Sequence, residues 1–85
     1  MSKVRMYSTG VCPFCRMAER LLLSKGVAID KIRVDLEPEK LVEMMEKTGR
    51  RTVPQIYVGE THVGGYEELA AMELAGRLDE MLHAE

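Results

Sequence analysis

The residues best able to do chemistry are Cys12 and Cys15, set in the segment Cys12-Pro13-Phe14-Cys15, and the chain has no other cysteine. Helical spacing begins at Cys12 or Pro13, directly after a strand-like run and a short loop, so the first thiol stands where a helix starts. A helix N-terminus carries partial positive charge and unpaired N–H groups, and both favour a thiolate over a thiol. Thiolate is the attacking species in thiol–disulfide exchange. Cys15 lies about one helical turn further on, within reach of a mixed disulfide formed on Cys12. The pair points to dithiol redox chemistry, with Cys12 as nucleophile and Cys15 as resolving thiol. Pro13 removes an N–H and stiffens the turn between them. Arg16 reads first as a solvent-exposed cation, although its charge lies close by.

Two other uses of the pair fit less well. A bridge closing so short a loop takes little entropy from the unfolded chain, which makes it a poor structural staple. A zinc site needs a second cysteine pair or two closely spaced histidines. The only histidines are His62 and His83, whose spacing fits no such pattern, so no metal ligand is expected.

The bulk properties bound the rest. A chain of 85 residues supports one domain, expected over 1–85. Apolar residues make up 46% and charged residues 31%, the balance of an ordinary soluble domain. The net charge of -2 is spread along the chain, with no basic patch for nucleic acid and no acidic tail. No apolar run approaches a membrane span. The N-terminal residues lead into a strand pattern without a signal-like apolar region, which makes a cytoplasmic location the expectation.

Periodicity places the elements that position the cysteines. Lys3 to Ser8 alternates as a first strand. A helix follows to Lys25, with Ala18, Leu21 and Leu22 at helical steps and Gly26 as its stop. Ile29 to Asp35 reads as a second strand, with Ile32 and Val34 on one face. Pro38 opens a helix that ends at Gly49, with Leu41, Val42, Met44 and Met45 as its apolar stripe. Pro54 to Val58 and Thr61 to Val63 form a hairpin about Gly59-Glu60. Gly64-Gly65 breaks the chain, and one last helix runs from Tyr66 to about Met81, with Leu69, Met72, Leu78 and Met81 among its apolar positions. The order β-α-β-α-β-β-α predicts an α/β fold. A right-handed parallel crossover joins the first two strands, an antiparallel hairpin the last two, and helices flank both faces of a mixed four-stranded sheet. Met17, Met44, Met45, Met72 and Met81 read as core filler, and His62 as an exposed strand residue without a catalytic role. Pro54 suits the first residue of a strand, where a ladder donor is dispensable; the isomer of the Val53–Pro54 bond stays open at this level.

Together these segments resemble the bacterial single-domain dithiol glutaredoxins, which have the thioredoxin-like fold. The resemblance rests on Cys12-Pro13-Phe14-Cys15, on Gly49-Arg50-Arg51-Thr52-Val53-Pro54-Gln55-Ile56, and on His62-Val63-Gly64-Gly65 followed by an acidic pair, in order and covering nearly the whole chain. It implies glutathione-dependent reduction of protein disulfides and of glutathione mixed disulfides. No bound cofactor is implied; glutathione is the reductant and disulfide-containing or glutathionylated proteins are the partners of a monomer. It implies a cis Val53–Pro54 bond that turns the Val53 backbone toward the cysteines, where an extended peptide pairs with it as with an added strand. Thr52 and Val53 then hold the cysteinyl part of glutathione. Gly65, Tyr66 and Glu67 hold its γ-glutamyl end at a helix N-terminus. Phe14, Arg51 and Pro54 complete the expected site. Phe14 stands where the family often has tyrosine, and Glu67 where it often has aspartate. Tyr66 replaces a smaller residue, and reads equally as a cover for the helix. Thr9 stands where the family usually has a lysine that contacts the glycyl carboxylate and favours the thiolate, leaving Arg16, Lys40 or Arg51 as substitutes. Two alternatives remain at this level. One is a redoxin reduced by thioredoxin reductase, against which the absence of tryptophan and the Gly64-Gly65-Tyr66-Glu67 segment count. The other is an iron–sulfur cluster carrier that uses glutathione, against which Pro13 and the second cysteine count.

Overall fold

The computed structural model describes residues 3–83. Its elements are β1 (Val4–Ser8), α1 (Pro13–Ser24), β2 (Ile29–Arg33), α2 (Pro38–Thr48), β3 (Gln55–Val58), β4 (Thr61–Gly64), α3 (Tyr66–Leu74) and α4 (Leu78–His83). The four strands form one mixed sheet in the order β2-β1-β3-β4. β1 pairs parallel with β2 and antiparallel with β3, and β3 pairs antiparallel with β4.

Side chains of a strand alternate between faces, and here the alternation divides the core in two. Val4 and Met6 of β1 and Ile56 and Val58 of β3 pack with Ala18 and Leu22 of α1, Leu69 of α3, and Leu78 and Leu82 of α4. On the opposite face Tyr7 packs with Val34 and with Met44 of α2. The sheet is therefore covered on both sides. The Tyr7 hydroxyl is held there by a hydrogen bond to Glu43 Oε2 at 2.6 Å. Burial and that carboxylate push the Tyr7 phenol above its usual range.

Three expectations need correction. The single last helix is two: α3 ends with Ala75 at its C-cap, and Gly76, at φ +72°, turns the chain before α4 begins. Apolar residues continue on both sides of the break, but their phase changes there. Leu69 and Leu78, both buried, are nine residues apart, about two and a half turns, and would lie on opposite faces of one helix, so only the turn at Gly76 lets both reach the core. Val42 is exposed rather than part of the α2 stripe, and Met17 is exposed on α1. In both helices the apolar stripe is wider than the strip that meets the sheet.

Candidate active site

The site begins where α1 begins. Cys12 is the N-cap residue of α1, in extended conformation with φ -150° and ψ 102°. Pro13 takes the first helical position, where its missing N–H leaves nothing unpaired. The Cys15 N–H donates to Cys12 Sγ at 3.1 Å, as an N-cap side chain is expected to accept. The first turn of α1 carries no acidic residue, so its positive end is not neutralised from within. Cys12 and Cys15 are joined as a disulfide with Cα atoms 5.2 Å apart. Cys12 keeps 8% of its surface exposed and Cys15 4%, so the second sulfur is the more enclosed.

The loop before β3 brings a second segment to the sulfurs. The Val53–Pro54 peptide is cis, in agreement with the expectation from the family resemblance. The Val53 carbonyl oxygen lies 3.8 Å from Cys12 Sγ. The loop is fixed from behind by Gln55, whose Nε2 donates to the Thr52 carbonyl at 3.0 Å. Gln55 Oε1 in turn lies 2.7 Å from His62 Nε2. A carboxamide oxygen only accepts, so His62 donates and carries its proton on Nε2. His62 also stacks on Tyr57, ring centroids 5.0 Å apart. It is thus a half-buried support for the loop rather than the exposed strand residue expected. Burial, and then the charge of Arg50, hold its pKa below the usual histidine value.

The third segment is the N-terminus of α3. Gly65 is the N-cap, and its N–H donates to Glu68 Oε1 at 2.5 Å. That hydrogen bond, with the nearby Arg50 guanidinium, keeps Glu68 ionised below the ordinary carboxylate range. Arg50 Nη1 lies 3.4 Å from the same oxygen. Tyr66 packs partly on the core and stacks with Phe14, centroids 6.3 Å apart and planes 28° apart. Phe14 is 55% exposed, so the outer edge of this ring pair is open to solvent.

Between the three segments lies an open cleft of about 240 Å³. Phe14 and Tyr66 form one wall, Thr52, Val53 and Pro54 another, and Gly65 and Glu67 the end at α3. These are seven of the residues expected from the sequence. Arg51 is exposed and does not line the cleft; its neighbour Arg50 does, together with Gln55 and Glu68. Sequence reading missed these three. Glu68, three residues after the N-cap glycine, carried a capping-box signal, whereas Gln55 and Arg50 were read only as parts of a motif. Of the cations considered in place of a lysine at position 9, Arg16, Lys40 and Arg51 all lie outside the cleft lining.

Among the described residues no group of histidine, cysteine and acidic side chains is arranged to hold a metal ion. No helix among them is long and apolar enough to cross a membrane.

Comparison with known proteins agrees with this geometry. The Glutaredoxin family model matches residues 4–63. A glutaredoxin of Neisseria meningitidis serogroup A is 50% identical over 84 residues, covering 98% of this chain and 99% of that protein. The solution structure of a glutaredoxin from Brucella melitensis superposes with a TM-score of 0.85 at 43% identity, covering 96% of this chain and 89% of that one. The crystal structure of a buckwheat glutaredoxin–glutathione complex gives a TM-score of 0.88 at 26% identity, covering 95% and 76%. A cysteine pair capping a helix beside a cis-proline loop, in this fold and with these relatives, makes the chain a member of the glutaredoxin family and a thiol–disulfide oxidoreductase.

Proposed function

We propose that the protein reduces protein disulfides and glutathione mixed disulfides at the expense of glutathione, with Cys12 as nucleophile and Cys15 as resolving thiol. The observation that carries this reading is the cleft, which runs from the Cys12 side of the disulfide to the N-terminus of α3. Its shape and chemistry suit an extended tripeptide with a free carboxylate at one end. The Val53 backbone offers strand-like pairing to the cysteinyl unit. The α3 N-terminus, with Gly65, Tyr66 and Glu67, suits the α-carboxylate of the γ-glutamyl unit, and Thr52, Phe14 and Pro54 bound the middle. The glutathione complex of the buckwheat relative, a similar fold, supports the same ligand here. Arg51 retains a looser part, as a charge outside the cleft.

The chemistry follows from sulfur exchange. The Cys12 thiolate, favoured by the Cys15 N–H and the helix end, attacks the glutathionyl sulfur of a mixed disulfide. A Cys12–glutathione bond forms, and the substrate sulfur leaves as a thiolate that takes a proton from water. A second glutathione thiolate then attacks the bound glutathionyl sulfur, releasing glutathione disulfide and restoring the Cys12 thiolate. With a protein disulfide, Cys12 forms a mixed disulfide with the substrate. Cys15 attacks Cys12 Sγ, the second substrate thiolate leaves, and the Cys12–Cys15 bridge seen in the structure results. Two glutathione molecules reduce it.

The test couples the protein to glutathione, glutathione reductase and NADPH, with a small glutathione mixed disulfide as substrate. NADPH consumption is expected from the wild type and from Cys15→Ser, because glutathione itself resolves the intermediate, and none from Cys12→Ser. Activity with thioredoxin reductase but not in this assay would overturn the glutathione reading. Equal loss in both variants would overturn the division of roles.

A further inference from the structure

A second cavity, of about 200 Å³, lies on the other side of the disulfide, between α1 and the β1–β2 edge of the sheet. The parallel register pairs Met6 with Lys31 and Ser8 with Arg33. These side chains therefore share the face that α1 covers, and all four line the cavity together with Cys15. Its charges are mostly matched: Lys31 pairs with Glu19 at 3.2 Å and Arg33 with Asp35 at 2.7 Å. Its hydroxyl is not. Ser8 is only 2% exposed, and its Oγ is the one buried side-chain oxygen or nitrogen among the described residues without a hydrogen-bond partner. Leaving a buried hydroxyl unpaired is costly and calls for an explanation.

The catalytic cycle supplies one. In the disulfide, Cys15 Sγ is a neutral and weak acceptor. When the bridge opens, the bonding electron pair leaves on that sulfur, which becomes a thiolate in a site only 4% exposed. A desolvated anion needs a donor, and among the groups lining the same cavity Ser8 O–H is the buried one without a partner, whereas Thr9 is half-buried and Arg16 is exposed to solvent. We propose that Ser8 donates a hydrogen bond to the Cys15 sulfur as the Cys12–Cys15 bridge opens. The attacking thiolate forms a bond to Cys12 Sγ, the Cys12–Cys15 bond breaks, and the pair on Cys15 Sγ is stabilised by the Ser8 hydroxyl until a proton arrives from solvent. Ser8 keeps its own proton. In the reverse step the same hydrogen bond orients the Cys15 thiolate toward Cys12.

The inference rests on thiol–disulfide exchange and not on glutathione, so its test uses dithiothreitol. The oxidised protein is mixed with dithiothreitol and the opening of the bridge is timed. Ser8→Ala is expected to slow opening about five- to tenfold, the loss of one hydrogen bond at the reacting sulfur, and Ser8→Thr to restore most of it. Alkylation of Cys12 in the reduced protein does not use Cys15 as a leaving group and serves as the local control. In a Cys12→Ser background, Ser8→Ala is expected to move the titration of the Cys15 thiolate, followed by ultraviolet absorbance, to higher pH. Opening of Ser8→Ala at the wild-type rate would overturn the proposal. So would an equal fall in Cys12 alkylation, an unmoved Cys15 titration, or a Ser8→Thr variant as slow as Ser8→Ala.

Discussion

Gly64→Ala tests how the cleft end at α3 is built. Gly64 ends β4 at φ +115°, a conformation that residues with a Cβ rarely adopt. A Cβ built there meets Glu68 at 2.7 Å from Oε1 and 3.1 Å from Cγ and Cδ, so the glutamate side chain must move. That side chain accepts the Gly65 N–H at 2.5 Å. The substitution therefore has two costs: backbone strain of about 1–2 kcal/mol and loss of a helix cap of about 1 kcal/mol. Their sum, about 2–3 kcal/mol, is a large share of the roughly 5–15 kcal/mol by which such domains are stable. It corresponds to a fall in Tm of roughly 10–20 °C for a domain of this size. Gly76→Ala is the control, because Gly76 also has positive φ, +72°, but nothing within 4 Å of its Cβ position; it should show the strain alone. Urea unfolding of the oxidised protein measures both, and a Glu68→Ala background isolates the cap. In that background Gly64→Ala should lose its excess over Gly76→Ala. An equal cost of Gly64→Ala with and without Glu68, or a cost no greater than that of Gly76→Ala, would refute the reasoning.

Further outcomes follow from the buried polar contacts. Tyr7→Phe removes the hydroxyl that donates to Glu43 and should cost about 1–2 kcal/mol in urea unfolding at neutral pH. The hydrogen bond from Tyr7 holds the Glu43 carboxyl below its usual value, so this stabilisation is present above the unfolded glutamate pKa and is lost as pH falls through the folded one; the gap between wild type and Tyr7→Phe should close in acid. His62 has a lowered pKa in the folded protein through burial, so the unfolded chain takes up a proton first as pH falls below about 6.5. Stability should therefore decline with falling pH in that window, and His62→Asn should flatten the decline; an unchanged slope would remove His62 from the account.

Much of the fold was legible because its signals are local. Alternation in β1 and β3, the proline starts of α1 and α2, and the turn at Gly59 each act within a few residues, and each element appears within a residue or two of the expected bounds. The placing of Cys12 at a helix start is local in the same sense, since an N-cap is defined by the residues that follow it. The chemistry of the cysteine pair could therefore be read directly. The break at Gly76 was not read, because apolar residues continue on either side of it and serve one core, although the half-turn shift of phase between Leu69 and Leu78 carried its signal. Nor was the exposure of Val42 and Met17, which depends on how wide a strip of each helix meets the sheet.

The cleft itself was only named by motif. That Arg50 rather than Arg51 lines it, that Gln55 ties the Thr52 carbonyl to His62, and that Glu68 caps Gly65 next to Arg50 all depend on contacts between segments distant in sequence. Ser8 is the plainest case. In the chain it is one polar residue at the end of an alternating strand. Only the parallel register with β2 and the packing of α1 over it seal its hydroxyl in a cavity beside Cys15. Local propensity and period set the elements and the identity of the reacting pair. Burial and partner choice, which set the environment of each sulfur, arise only when the sheet and its helices come together.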